Sequence, residues 1–449
     1  MRNNFLRNTI AAGLLCAATG LAGTDDTFLL RGVTVHPVTS AVIDNTSVLV
    51  RDGKIAEIGA KIVAPKGMKV IEGKGLHVYP GMIDSGTTLG LSEISSIRES
   101  VDTGELGVFN PQLRAEVAVN AASEHFPVVR ANGITTVITL PAGGGRRGFG
   151  GGGGEDSPMI TGQGALIHLD GWTWEEMDVR RMATMQLEFP QIRTLPARFA
   201  ALAIDAGITI PGGGTAANAR RNFEAQLKKL NIFFEDARRY QKAKAAGAIG
   251  AHLDLKLEAM IPVIEGKVPM AVSADREKNI LEAVKWAESQ KVKIVLMNVK
   301  EFGNTLATLK EKNIPVILGP TLALPEYEDD PYDAAFARPS DVFKAGVKFA
   351  FGSFNNEFVR NLPYQAAAAV AFGLPYDEAL KAVTINAAEI WGIADQYGSI
   401  EKGKWADLMI TDGDPLETRT QIKQVFIKGK AVDLGNKHQR LYEKYLARP

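Results

Sequence analysis

Short runs in which apolar and polar residues alternate both open and close the chain. FLLRGVTVHPV, TSVLVRDGKIAEIG and MKVIEGKGLHV fill the stretch from Thr27 to Val78, punctuated by Asp52-Gly53, Gly59 and Gly73. Period-two alternation between such turn residues predicts half-buried strands of a small antiparallel sheet. The same style returns in GSIEKGKWADLMITDG and QIKQVFIKGKAV, Gly398 to Val432, so the two ends are predicted to share one sheet. Between them the apolar, β-branched runs ITTVITL, ALIHL, VPMAVSA, KIVLMN, PVILGP and VKFAFGS alternate with helix-patterned stretches such as REKNILEAVKWAESQK and FGNTLATLKEKN. Apolar strands separated by helices are the pattern of βα units in a parallel sheet. The last four runs begin near Val268, Lys293, Pro315 and Val347, which leaves room for one crossover helix each. The predicted architecture is an α/β protein, a (β/α)8 barrel interrupting a β-sandwich. The charged stretch Ala216 to Ala245 sets Phe223, Leu227, Leu230 and Phe234 at helical spacing, an amphipathic helix whose stripe packs on the core.

A chain of 449 residues holds two or three domains or one large barrel with an appendage. Lys plus Arg number 51 and Asp plus Glu number 51, so no global field favours nucleic acid or an anionic membrane, and a small or neutral partner is expected. The start, MRNNFLRNTIAAGLLCAATGLAGTDD, orders Arg2 and Arg7, an apolar run and then small residues. That order predicts a signal peptide cleaved near Ala22 or Gly23 and a periplasmic or secreted product, since the run is too short and too rich in small residues for a good membrane span. The only cysteine, Cys16, lies inside this segment. A lipid anchor there is the lesser alternative, because Leu15 is bulky where a lipobox wants a small residue.

The motif PGMIDSGTTLG, Pro80 to Gly90, ends an apolar strand approach, GKGLHVYPGMID. Together with VLVRDGKIAEIG near the start, and GSIEKGKWADLMITDGDPLE followed by VFIKGKAV near the end, it resembles the amidohydrolase superfamily, and within it the imidazolonepropionase-like group. The resemblance spans nearly the whole mature chain. It implies a TIM-type barrel that hydrolyses carbon–nitrogen bonds with a zinc-type divalent metal held at the carboxyl ends of the strands. At the positions it marks for ligands and base, this sequence reads Gly86 and Thr88 on strand one, where His-x-His is usual, Ser273 on strand five, Asn298 on strand six and Phe354, beside Ser353 and Asn355, on strand eight. Glycine offers no ligand and a lone hydroxyl is a poor one for such ions, so the expected ligands are missing, and neither a metal site nor a cofactor is assigned.

Other chemistry is open near strand ends. His168, Asp170, Asp84, Asp275 and Glu301 are the candidate catalytic residues, two converging carboxylates being able to act as acid and base. Against this, Asp275 before REKN suits a helix N-cap and Asp84 suits a brace for the first strand's loop. Of the other histidines, His36 and His77 fall in the terminal strands, His438 in the tail, and His125 and His252 on helix-like segments. Ser85 or Ser273 with His168 lacks a nucleophile elbow G-x-S-x-G. Nine glycines stand among the residues 143–154 with Arg146, Arg147 and Phe149, a rim loop without the lysine of a phosphate cradle. WTWEEM, Trp172 to Met177, reads as an aromatic wall or as cover for the barrel edge, and Glu328, Asp329 and Asp330 as a solvated acidic rim rather than a calcium site.

These readings divide the chain into a signal peptide 1–22, an N-terminal sandwich segment 23–79, a barrel 80–395, and a C-terminal sandwich segment with the tail 396–449. Two functions follow. One is a carbon–nitrogen hydrolase, as the resemblance implies. The alternative is a catalytically silent exported barrel that binds a small ligand, self-associates, or pairs with a related amidohydrolase.

Overall fold

The computed structural model describes residues 26–142, 157–192, 216–248, 250, 252–325 and 330–448. The N-terminal segment 1–22 with Cys16, the glycine-rich stretch 143–154, and Glu328 and Asp329 lie outside the described residues.

The alternating N-terminal runs form β1 (Phe28–Val35), β2 (Ile43–Arg51), β3 (Lys54–Ile58), β4 (Lys69–Glu72) and β5 (His77–Pro80). After the barrel the chain returns as β14 (Leu408–Thr411), β15 (Ile422–Ile427) and β16 (Lys430–Val432). All eight belong to one sheet, ordered β16-β15-β14-β5-β1-β2-β3, with β4 branching from β1. The junction between the two chain ends is the antiparallel pair β5 and β14, where Val78 lies opposite Ile410. Inward residues such as Phe28, Leu30, Val48, Leu408 and Phe426 make one apolar cluster, with Phe28 and Phe426 stacked at 4.5 Å.

The barrel runs β6 (Met82–Thr87), β7 (Ile134–Thr139), β8 (Ile160–His168), β9 (Asp178–Glu188), β10 (Met270–Ser273), β11 (Ile294–Met297), β12 (Val316–Leu318) and β13 (Phe349–Phe351). Neighbours in sequence are neighbours in the sheet. Each strand sends one apolar residue inward: Ile83, Ile138, Leu166, Ala183, Ala271, Val295, Ile317 and Ala350 fall in a single buried cluster, the filled interior of a TIM-type barrel. Two features differ from the parallel (β/α)8 expectation. β8 runs antiparallel to both β7 and β9, and β9, in MATMQLEF, is a strand that the apolar-run reading passes over. The hydrogen-bonded ladder also stops between β13 and β6; the seam there is bridged by the Asp84 side chain and one backbone hydrogen bond, as described below.

The long helix Ala216–Ala245 packs its stripe as expected, with Phe223, Leu230 and Phe234 fully buried. Phe234 meets Trp286 edge-on at 5.1 Å, a burial worth roughly 1.5–3 kcal/mol per large apolar side chain. Among the described residues no helix is long and apolar enough to cross a membrane.

Where the terminal sheet meets the barrel, His36 Nε2 lies 3.0 Å from His77 Nδ1 and the His36 ring stacks on Tyr79 at 4.0 Å. Burial, and then the neighbouring His77, lower the His36 pKa to about 4. An unfolded histidine takes its proton near its ordinary 6.5, so the stability that neutral His36 contributes is present above that value and is lost as pH falls towards 4. The wild-type melting temperature is therefore expected to drop between pH 7 and about pH 4.5, and His36→Phe, which keeps the stacking but cannot titrate, is expected to drop less. Parallel melting-temperature profiles for the two proteins would refute this assignment.

Candidate active site

The site begins with the seam that closes the barrel. Asp84 on β6 is fully buried, and its carboxylate accepts the N–H of Gly86 at 2.9 Å and the N–H of Ser353, just past β13, at 3.1 and 3.2 Å. The Phe354 N–H then donates to the Gly86 carbonyl at 2.8 Å. Gly352 permits this approach: a Cβ there would sit 2.9 Å from Ile317 Cγ2 and 3.2 Å from both the N and O of Gly86. Asp84 thus braces first strand to last, a wider role than the local loop brace expected from sequence. Burial pushes its carboxyl from an ordinary 3.8 up to about 7, against the opposing pull of the Ser353 and Gly86 hydrogen bonds.

The seam fixes what faces Gly86. Phe354 takes a left-handed backbone, φ +50°, and packs against the barrel's inner cluster. A Cβ placed on Gly86 would stand 2.8 Å from Met297 Cε, 3.1 Å from Phe354 Cε1 and 3.4 Å from Leu140 Cδ1. The space a first histidine ligand would need is therefore filled by three apolar side chains. Thr88 is half-buried at the same strand's end. The mouth positions on the fifth and sixth strands do meet: Asn298 Nδ2 donates to Ser273 Oγ at 3.1 Å, and Ser273 Oγ donates to Glu188 Oε1 at 3.3 Å. Gln186 Nε2 donates to both Ser273 Oγ and Glu188 Oε1, at 3.3 and 3.2 Å. Gln186 and Glu188 were missed because β9 was missed. The available signal is two polar residues, two apart, inside an apolar run, both therefore on one strand face.

The remaining candidates do not join this cluster. His168 and Asp170 were expected near the mouth, but β8 runs antiparallel, so its carboxyl end lies at the opposite end of the barrel, with His168 facing Thr136 across the ladder. There His168 Nε2 sits 3.0 Å from Asp407 Oδ2, close but misaligned for a hydrogen bond, with Tyr397 edge-on to its ring at 5.4 Å. Asp170 pairs with Arg130 at 2.7 Å. Both are struts, and a Ser273–His168 couple is ruled out by this placement. Trp172 to Met177 likewise leads into the start of β9, away from the mouth, and Trp174 stacks beneath Arg114 and Arg181 at 5.5 and 5.1 Å. Asp275 accepts from Asn279 Nδ2 at 2.7 Å, whereas the N-cap of the following helix is Arg276, without a side-chain cap bond. Glu301 is exposed, and its N–H is held by the Asp275 carbonyl at 3.0 Å.

The donor set can be weighed against the zinc-type ion that the fold implies. Glycine, a hydroxyl, an amide and a phenyl ring stand where imidazole or carboxylate would be needed. Among the described residues no three His, Cys, Asp or Glu side chains converge to hold a metal ion. These residues do not fit the group.

A nearly closed eight-stranded barrel sheet with a filled interior, beside a second sheet built from both chain ends, fits a TIM-type barrel plus a sheet domain. Residues 241–432 match the Amidohydrolase family. It is 22% identical over 413 residues to amidohydrolase tasK of Hapsidospora irregularis, covering 86% of this chain and 39% of that protein. It is 52% identical over 50 residues to imidazolonepropionase of Sphingopyxis alaskensis, 11% of this chain and 12% of the relative. The chain thus spans well under half the length of these curated relatives. In structure it is similar to an amidohydrolase from Thermotoga maritima, TM-score 0.73 and 24% identity over 90% of this chain and 99% of the other, a likeness of fold.

Two outcomes follow from the mouth geometry. Gly86→Ala is expected to cost little, because the Met297 methyl can swing aside, whereas Gly86→His should cost roughly 1–3 kcal/mol by overpacking. Adding Met297→Ala should recover part of that loss, a coupling of about 0.5–3 kcal/mol in denaturant unfolding. Strict additivity would show that Met297 does not occupy the space. For the seam, the stability given by protonated Asp84 is complete below about pH 4 and is lost as pH rises through about 7. Asp84→Asn, whose Oδ1 can still accept both N–H groups, should therefore gain melting temperature over the wild type at about pH 8.5 and lose that gain by about pH 5. An equal offset at both values would contradict the role.

Proposed function

We propose that this chain is an amidohydrolase-family protein that works by binding, as a catalytically silent barrel, rather than by metal-assisted hydrolysis of carbon–nitrogen bonds at its mouth. The observation that carries the reading is the filled space before Gly86, where Met297, Phe354 and Leu140 stand in the volume of a ligand side chain. A small ligand or a related amidohydrolase subunit is the natural partner for such a scaffold, and the segment MRNNFLRNTIAAGLLCAATGLAG supports an exported, periplasmic or secreted setting.

A second reading, the hydrolase that the family suggests, is favoured by one feature. Ser273, Glu188, Gln186 and Asn298 form a largely buried polar cluster at strand ends, where barrel enzymes place their chemistry. In that reading the cluster would act without a metal, Glu188 drawing on the Ser273 hydroxyl proton.

Purified mature protein, grown with zinc, manganese and iron available, separates the two when its metal content is measured and it is assayed on cyclic amides and N-acyl amino acids. The silent barrel is expected to carry no stoichiometric metal and to hydrolyse none of the panel. Hydrolysis that survives chelation and falls at least about a hundredfold in Ser273→Ala would establish the second reading instead. About one equivalent of metal or more, with chelator-sensitive turnover, would overturn both.

A further inference from the structure

At the end of the barrel opposite the mouth lies a pocket of about 610 Å3, between the starts of β10, β11 and β12, the helix Glu277–Gln290 and the segment Ile390 to Gly392. Its size is that of a small-molecule site, roughly 300–1,000 Å3. Five cationic side chains and one carboxylate line it: Arg180, Lys267, Lys291, Lys293 and Lys312 against Glu288. Two of the lysines are neutralised nearby, Lys267 by Glu265 and Lys312 by Glu288. Arg180 is committed to the carbonyls of Trp391 and Gly392, at 2.9 and 3.1 Å. Lys291 and Lys293 have no carboxylate partner among the described residues.

Beneath this rim the lining is apolar, from Val284, Ile294, Ile314 and Trp391. Trp391 is 1% exposed, and its Nε1 is buried without a hydrogen-bond partner. Lysine at a helix C-terminus offsets the helix dipole, which accounts for Lys291 and Lys312. It does not account for Lys293, which stands at the start of β11.

We propose that this pocket binds a small organic anion, a carboxylate on an apolar body, with the head between Lys291 and Lys293 and the body against Ile294, Ile314 and Trp391. The site is independent of the mouth, and the proposal stands whether or not the barrel is catalytically silent.

Calorimetric titration of the full chain with octanoate, octanamide and inorganic phosphate tests it. Octanoate is expected to bind, more tightly than its neutral amide and more tightly than phosphate, and to weaken as salt is raised from low to physiological strength. The double variant K291E/K293E, altered only at exposed side chains, should weaken octanoate roughly tenfold or more by reversing both charges. The salt series on the unaltered chain keeps the test valid even where that variant folds poorly. Absence of octanoate binding, equal binding of octanamide, stronger binding of phosphate, or a folded K291E/K293E variant with unchanged affinity would each overturn the proposal.

Discussion

The barrel depends on one buried carboxylate. Backbone ladders join β6 through to β13 but leave the last pair open, and Asp84 spans that gap by accepting the N–H of Ser353 while holding the N–H of Gly86. A charge in such a place is costly unless hydrogen-bonded, and the rise of its pKa to about 7 expresses the conflict between desolvation and those donors. The glycines on either side follow from the same constraint. Gly352 is favoured because a Cβ there would crowd Ile317 and the Gly86 backbone, and Gly86 lies beneath Met297 and Phe354, which leave no room for a large side chain.

This closure shapes the mouth. Once residues 352–354 are pinned against 84–86, Phe354, in its left-handed backbone conformation, packs into the barrel's inner cluster beside Met297. Apolar packing thus extends upward from the interior layer into the level where a barrel enzyme carries its chemistry. What polar character remains is displaced to the β9–β11 side, in the hydrogen-bonded group of Gln186, Glu188, Ser273 and Asn298. The scaffold is similar in fold to that of an amidohydrolase, and its mouth has the texture of a core. A cavity rimmed by cationic side chains lies at the opposite end.

Much of this was legible in the residues. The matched strand styles at the two ends placed them in one sheet, and the β5–β14 pairing bears that out. Gly86, Thr88, Ser273, Asn298 and Phe354 were placed at or just past strand ends, which apolar runs mark well. Strand direction could not. ALIHL has the same pattern whether parallel or antiparallel, since side-chain alternation is blind to polarity, so His168 and Asp170 were expected at the wrong end. β9 escaped because Gln186 and Glu188 break its apolar run, and those are the very residues that make the mouth cluster. Asp84 looked like a local brace because its partner, the Ser353 N–H, is a backbone group 269 residues away, on which a side-chain pattern carries no information.

The central claim, that apolar packing at the mouth takes the place of a metal centre, is tested most directly by crystals grown with excess zinc and measured across the zinc absorption edge. The account predicts Met297 Cε and the Phe354 ring in van der Waals contact with Gly86, and no anomalous peak within coordinating distance of Thr88, Ser273 or Asn298. An anomalous peak at the mouth held by protein ligands, with Met297 or Phe354 displaced, would contradict it.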